Sequence, residues 1–394
     1  MQAPKNIKLF DLEREAGCPI CLSVAQVSCG DPPVMRTACG WGETRQTARA
    51  RCISESKERL AAVWFDDISF RRMPYIELPP EAALNPSDLI LLSCAQYQER
   101  GQWNASVQPA FRHPAPFDPK VQVEWVEGQS LATGVPVLVP AACVYLGYPR
   151  WLETGFTVPD SNGLAAGADR EDALQRALFE VAERDAVSIW WYNKLRRPGV
   201  DPDSTMLSHS VSAWLQQQGR TLALLDLTHD FHVPVVTAVS CDEFGADISI
   251  GFAAAASMEA AIDGALGEMA QFDFTKRMAR SNDGIGHSSP FLFGLAQLSK
   301  ENAPFLFPSE QKRQEQQSVI SFDRLVASFK ELAPDTAVFE FPEVDSTAIR
   351  VIAPGLRPIW PRFAPGRLYS VPVTLGWREA ARQEASLNRR PILY

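Results

Sequence analysis

The clearest hydrophobic pattern in the chain follows a polar, glycine-punctuated stretch that begins at Asp160. Ala173, Leu174, Ala177, Leu178 and Val181 recur with a period near 3.6, and Asp172, Arg176, Glu180 and Glu183 fall on the other side. Spacings of four, four and three residues keep side chains adjacent on a helix, so this segment predicts a helix with an apolar face and a charged one. A second such helix is predicted from an N-cap at Thr44 to about Phe65, with Ala48, Cys52, Leu60 and Val63 inward. Glu55 and Glu58 lie three apart on it, followed by Arg59, the same E-x-x-E-R order as Glu180, Glu183 and Arg184. A third runs from a cap near Ser257 to about Met278, with Ile262, Ala265, Leu266, Met269 and Phe272 inward and Glu268 and Gln271 three apart.

The remaining pattern is mixed. A short helix is expected at Phe10–Ala16, a strand near Ile20–Val27, and a turn over Arg36–Thr44. Between Asp66 and Pro159 the text is β-rich, with strands at Leu89–Ala95, Val121–Val126 and Val137–Tyr148 and a hairpin turning at Gly128. Helices at Asp203–Gly219 and Ser321–Leu332 and strands at Thr221–Asp226, Val233–Cys241, Thr336–Phe341 and Ile349–Ala353 follow. Residues 281–320 read as loop-rich, with a polar run at Gln311–Gln317, and Pro354–Pro372 is proline-rich. The pattern describes an α+β (mixed α/β) protein. No solenoid repeat or low-complexity tract occurs.

Composition is that of a globular chain: 394 residues, 46% hydrophobic and 22% charged. That length suits two or three domains or one large unit. A net charge of −9 argues against a broad nucleic-acid or anionic-membrane surface. It leaves room for a small polyanion whose charge is met by bound Mg²⁺. The N-terminus lacks the apolar core of a signal peptide and no apolar run is long enough to span a bilayer, so a cytoplasmic protein with reduced cysteines is expected. Cys18 and Cys21, with Cys29 and Cys39 after them, lack the second tight pair of a structural zinc site and also read as a buried strand. His229 and His232 read as a polar turn between strands, because no nearby carboxylate or cysteine completes a metal site.

Two E-x-x-E pairs and one E-x-x-Q pair, far apart in sequence, each sit on a helix that follows a β segment. Four convergent glutamates repel one another, and two Mg²⁺ ions bridging a nucleotide triphosphate turn that arrangement favourable. Neutral Gln271 limits the excess charge and suits orienting a ligand or a metal-bound water. Gly40-Trp41-Gly42 and Gly163–Gly167 precede the first two helices, where bare backbone offers phosphate contacts. No Walker or kinase signature is present, nor a convincing Ser-His-Asp or Cys-His set.

At these residues the sequence resembles the YcaO family. The likeness runs through the Gly-x-Gly turn and Glu55-Ser-Lys-Glu58-Arg59, Ser161-Asn-Gly-Leu-Ala-Ala-Gly167, Asp172 and Glu180-Val-Ala-Glu183-Arg184-Asp185. It continues through Asp226-Leu-Thr-His-Asp230, Glu268-Met-Ala-Gln271 and Pro354-Gly-Leu-Arg-Pro358, and so covers nearly the whole chain. The resemblance implies one YcaO-like domain over residues 1–394: a short N-terminal segment (1–35), an ATP-binding core (36–320) and a C-terminal portion (321–394) whose tail enters the active site. Sheets and helices would surround a central Mg-ATP site. It implies an ATP- and Mg²⁺-dependent cyclodehydratase that phosphorylates backbone amide oxygens of a ribosomally made precursor peptide and forms thiazolines or oxazolines. Other branches make thioamides or amidines. Carried over by position, Glu55, Glu58, Glu180 and Glu183 are the catalytic Mg²⁺ ligands, and Arg59, Asp172, Arg184 and Gln271 are nucleotide or magnesium contacts. About forty residues precede the first Gly-x-Gly turn, so a separate leader-peptide-binding partner is expected; many related proteins are dimers.

The chain departs from the family at Trp41, where Lys is frequent, at Arg51 and Cys52, where small residues are usual, and at Ala168, where Asn is common. Its tail, Leu387-Asn-Arg-Arg-Pro391-Ile-Leu-Tyr394, keeps the Leu-Asn start and one proline. These departures motivate a competing reading, a peptide- or partner-binding scaffold that has lost nucleotide use.

Overall fold

The computed structural model describes residues 5–29, 34–64, 70–107, 112–149, 160–281, 295, 297–310, 319–342 and 347–392. Its strands form three sheets, each with antiparallel pairing throughout. β1 (Lys5–Asp11), β2 (Cys21–Cys29) and β3 (Val34–Gly42) make the first. A second joins β4 (Arg71–Pro74), β5 (Gln122–Ser130), β6 (Pro136–Pro140), β7 (Leu164–Gly167), β12 (Ala337–Glu340) and β13 (Thr347–Ile352). Its order is β4-β5-β12-β13-β7, with β6 paired to β5. The third runs β11-β10-β9-β8, from β8 (Gly199–Val200), β9 (Arg220–Asp226), β10 (Val235–Asp242) and β11 (Ser249–Ala254).

Three helices link these sheets. The first, Arg45–Ala61, is capped by the Thr44 hydroxyl, which accepts from the Thr47 amide at 3.1 Å, and lies on the first sheet. The central helix, Arg170–Asn193, is capped by Asp169 and packs against β7, β13 and β11. Its N-terminal half is amphipathic as the pattern predicts: Ala173, Leu174, Ala177, Leu178 and Val181 are all buried. Its C-terminal half is enclosed on all sides, with Trp190, Trp191 and Tyr192 in the main core. The third, Met258–Ser281, covers the third sheet, and Ile262, Ala265, Leu266 and Met269 are buried while Phe272 is half-buried.

Several sequence expectations give way. Phe10–Ala16 is not a helix: Phe10 and Asp11 end β1, because pairing with β2 over the whole length of the strand outweighs local helix propensity. Leu89–Ala95 is not a strand but the junction of short helix Ser87–Ile90 with helix Cys94–Ser106, whose Ser93–Gln96 capping box was overlooked. The Val137–Tyr148 strand stops at Pro140, where helix Ala141–Val144 begins. Gly128 is extended within β5, and the hairpin turns instead at Gly134, with φ of 73°.

The supposed Gly40–Gly42 turn is the end of β3. A Cβ on Gly40 would lie 2.2 Å from the Ala48 carbonyl and 2.3 Å from the Cys52 amide, so this glycine lets the first helix settle onto the sheet. Gly167 does the same for the central helix, with Ala173 N 2.3 Å from its Cβ position. Both glycines serve close packing, and neither has the positive φ of a phosphate-cradling turn. The polar run Gln311–Gln317 and the last two residues of the tail lie outside the described residues.

Candidate functional site

The first and central helices bring Glu58 of one E-x-x-E pair close to Glu180 of the other. Glu55 Oε2 accepts from the Cys39 amide of β3 at 2.9 Å, and Oε1 accepts from Arg59 at 2.6 and 3.0 Å. Glu58 has no such neighbour: among the described residues no group donates a hydrogen bond to it. Burial, then the charges of Glu180 and Glu55, push its carboxyl well above the usual range, against the pull of Arg59 and Arg350. Glu180 is raised to about 7, first by burial and then by Glu183 and Asp160, despite Arg184 and Arg350. The Glu183 carboxyl is likewise raised by burial.

Glu183 is aimed rather than satisfied. Its Oε2 accepts from the Ala254 amide at the end of β11 at 3.0 Å, while buried Oε1 has no hydrogen-bond partner. Arg184 stands 3.6 Å from both Glu180 and Glu183, an ion-pair distance without a hydrogen bond. Carboxylates that are buried, mutually repelling and left with open lone pairs are poised to bind a cation. Among the described residues no three acidic, histidine or cysteine groups close into one ion cage.

The other expected site residues sit differently. Asp172 is occupied: the Ala168 amide donates to it at 3.0 Å and Arg176 at 2.7 Å. Burial works to raise the Asp172 carboxyl, but these hydrogen bonds outweigh it and leave it below the usual value. It braces the β7-to-helix connection. Glu268 takes the Phe252 amide of β11 at 3.5 Å, so one strand orients a glutamate from each of two helices. Gln271 is half-buried and makes no hydrogen bond to the glutamates. Trp41 lies flat between two neighbours. The Arg51 guanidinium is 3.7 Å from its ring centre, and a Cβ on Gly267 of the third helix would fall 2.0 Å from the ring.

Sequence reasoning missed two features. Arg350 on β13 is buried, bonds the Asp160 carbonyl at 2.7 Å and carboxylate at 2.9 Å, and lends positive charge to Glu58 and Glu180. Nothing in a strand reading Thr-Ala-Ile-Arg-Val-Ile marks that arginine as facing the carboxylates. The second is an ionic cluster built on Asp185, two residues beyond Glu183 on the central helix. Asp185, wholly buried, accepts from Arg367 (2.7 and 2.9 Å) and the Arg357 amide (2.8 Å) and pairs with His229 Nε2 at 3.1 Å. Arg367 also forks onto Asp230 at 2.7 and 2.9 Å. Burial opposes ionisation of Asp185, and Arg367 with His229 overrides it to hold the carboxyl well below the usual range. His229 is therefore a core partner rather than a metal ligand. Cys18 and Cys21 are free thiols beside β2, with no metal cluster among the described residues.

The chain is a protein of mixed α and β architecture in which helices carrying E-x-x-E pairs bring Glu58 and Glu180 close together. A family model described as YcaO cyclodehydratase, ATP- and Mg²⁺-binding, matches residues 39–357, and the chain belongs to this family. ATP and Mg²⁺ are its cofactors. The chain is similar to a solved heterocyclase in complex with substrate and cofactor (27% identity, TM-score 0.88), with 98% of this chain and 55% of that one covered. It is also similar to the heterocyclase TruD (30% identity, TM-score 0.75), with 90% and 51% covered. An uncharacterized protein of Methanothermobacter thermautotrophicus is 31% identical over 246 residues, 59% of this chain and 56% of the relative. The chain thus spans about half the length of each of these three.

Proposed function

We propose that this protein is an ATP- and Mg²⁺-dependent cyclodehydratase that converts backbone amides of a ribosomally synthesised precursor peptide into thiazoline or oxazoline rings. The observation that carries the reading is the approach of Glu58 to Glu180, with Glu183 one turn on: all three carboxyls are raised, first of all by burial, and Glu183 Oε1 has no hydrogen-bond partner. The likeness to two heterocyclases at 27% and 30% identity supports the azoline branch.

When bound, Mg-ATP supplies the phosphoryl group that turns an amide oxygen into a leaving group. The four glutamates would hold Mg²⁺, with Glu55 fixed by Cys39 N and Arg59, and Glu183 by Ala254 N. Arg184 and Arg59, ion-paired to Glu180 and Glu55, offset part of the negative charge and would be the residues to meet a nucleotide's phosphates. Asp172 acts by positioning the loop before the central helix. The attacking Cys, Ser or Thr belongs to the substrate. Cys143, which lies near Asp160 and Arg350, is kept a thiol by burial, which pushes it to about 12, so it is no alternative nucleophile.

The same proposal includes a leader-binding partner protein and a homodimer in a cytoplasmic setting; among the described residues no helix is long and apolar enough to cross a membrane. Incubation with precursor, partner and ATP should remove one water per ring at Cys, Ser or Thr, with amide ¹⁸O passing to phosphate. Unchanged peptide mass would refute it, and a sulfur-for-oxygen shift would move the protein to the thioamide branch.

A further inference from the structure

Beside the carboxylates lies a polar cavity of about 90 Å³. Val181, between the two glutamates of the central helix, forms part of its wall, and Asp160, Asn162, Arg350, Trp360 and Arg362 line it. Its hydrogen bonding does not balance. Asp160 Oδ1 is taken by Arg350 and the Asn162 amide, and Oδ2 by Trp360 Nε1 at 3.2 Å. This leaves Arg362 without a side-chain hydrogen-bond partner among the described residues. Buried Arg350 Nε and Asn162 Oδ1 also have none. Burial lowers Arg362 to about 10, with only partial compensation from Tyr192, Asp160 and Tyr97. Arg362 is half-buried and its nearby carboxylate, Asp160, is already committed to Arg350, the Asn162 amide and Trp360, so a group that supplies an oxygen to the guanidinium lowers the cost of its burial.

The unsatisfied groups are donors, Arg362 and Arg350 Nε, next to one acceptor, Asn162 Oδ1. A simple anion would answer the donors and repel the acceptor. A peptide backbone presents both a C=O and an N–H. We propose that this cavity is the acceptor subsite for the substrate backbone, in which Arg362 donates to a peptide carbonyl and Asn162 accepts from a peptide N–H. The assignment rests on the cyclodehydratase reading and extends it by separating a peptide pocket, on the Arg350 side of Glu180, from the nucleotide wall. Arg362 is then a positioning residue that sets which amide carbonyl faces the carboxylates.

The test uses acetyl-Gly-Cys-Gly-amide at millimolar concentration as the probe, followed by ligand-observed NMR. Parallel thermal melts with and without Mg-ATP report the nucleotide site. Wild type should bind the tripeptide, Arg362→Met and Asn162→Leu should weaken it at least about fivefold, and Arg362→Lys should recover part of the loss. The melting increment produced by Mg-ATP should be unchanged in all three variants. An N-methylated tripeptide should bind as poorly to wild type as the parent does to Asn162→Leu. No binding by wild type, wild-type affinity in both Arg362→Met and Asn162→Leu, or displacement of the tripeptide by equimolar acetate overturns the assignment. So does a parallel loss of the Mg-ATP increment in Arg362→Met, which would mark a purely structural role. Tripeptide binding without any Mg-ATP increment in wild type would uphold the pocket and overturn the nucleotide reading instead.

Discussion

Glu180→Gln separates the electrostatic price of the site from its packing. In the metal-free protein, burial and neighbouring carboxylates move Glu180 from 4.5 to about 7. A raised carboxyl means that the native state disfavours the charge. Stability is therefore unaffected below about pH 4.5, where folded and unfolded chains are both protonated, falls as pH rises from there to about 7, and levels off above it. A displacement of that size is worth roughly 3 kcal/mol at pH 8. Glutamine keeps the shape, removes the charge, and also relieves Glu58, which Glu180 pushes upward. Thermal melts without Mg²⁺ should show the variant close to wild type at pH 5 and about 2–3 kcal/mol more stable at pH 8, a rise of several degrees. Mg²⁺ with ATP should then stabilise wild type at pH 8 and do much less for the variant, because the ligand binds only the native state. A variant equally destabilised at both pH values would refute the reasoning, since it would mean that the Glu180 charge is already well solvated.

Other consequences follow from the same geometry. Mg-ATP affinity, measured by calorimetry, should weaken as pH drops below about 7, because the raised carboxyls must shed protons to bind metal. Arg367→Leu should cost about 3–5 kcal/mol in denaturant melts, since it strands wholly buried Asp185, and Arg367→Lys should recover part of that. Gly267→Ala should destabilise by about 1–3 kcal/mol, because its Cβ would meet the Trp41 ring, and the same change alongside Trp41→Ala should be nearly harmless. Thr44→Ala should cost about 1 kcal/mol through loss of the cap on the first helix.

What could be read from the sequence was local. Helix starts are written in single side chains, so Thr44, Ser257 and Ser321 each lie at the expected boundary. The three-residue spacing of the glutamates and the apolar stripe beneath Glu180 needed only helical geometry. What escaped depended on distant partners. Phe10 joins a strand because Val24 lies opposite it, and Gly40 is required because Ala48 and Cys52 come down upon it. Arg350 and Asp160, 190 residues apart, meet only when β13 reaches β7. Asp185, His229, Asp230 and Arg357 all lay within motifs quoted from the sequence, yet their common purpose shows only where the chain folds them together.

That cluster also sets an order of events. Asp185 follows Glu183 by two residues, and its partners Arg357 and Arg367 lie 172 and 182 residues further along. Leu387 and Ile392 are buried, the Asn388 amide bonds Tyr192 O at 2.8 Å, and Trp191 Nε1 bonds Arg390 O at 2.7 Å, so residues 387–392 strap the same helix. The rotation that turns Glu180 and Glu183 toward the first helix is thus locked by residues 172 or more positions further along the chain. Contacts of such separation form late in folding. The cation site should be blank on a nascent chain until the region around Arg367 has emerged, which pulse-labelled hydrogen exchange during refolding can follow. A late-closing site of this kind protects a half-folded chain from gathering metal around repelling carboxylates before the rest of the fold can hold them.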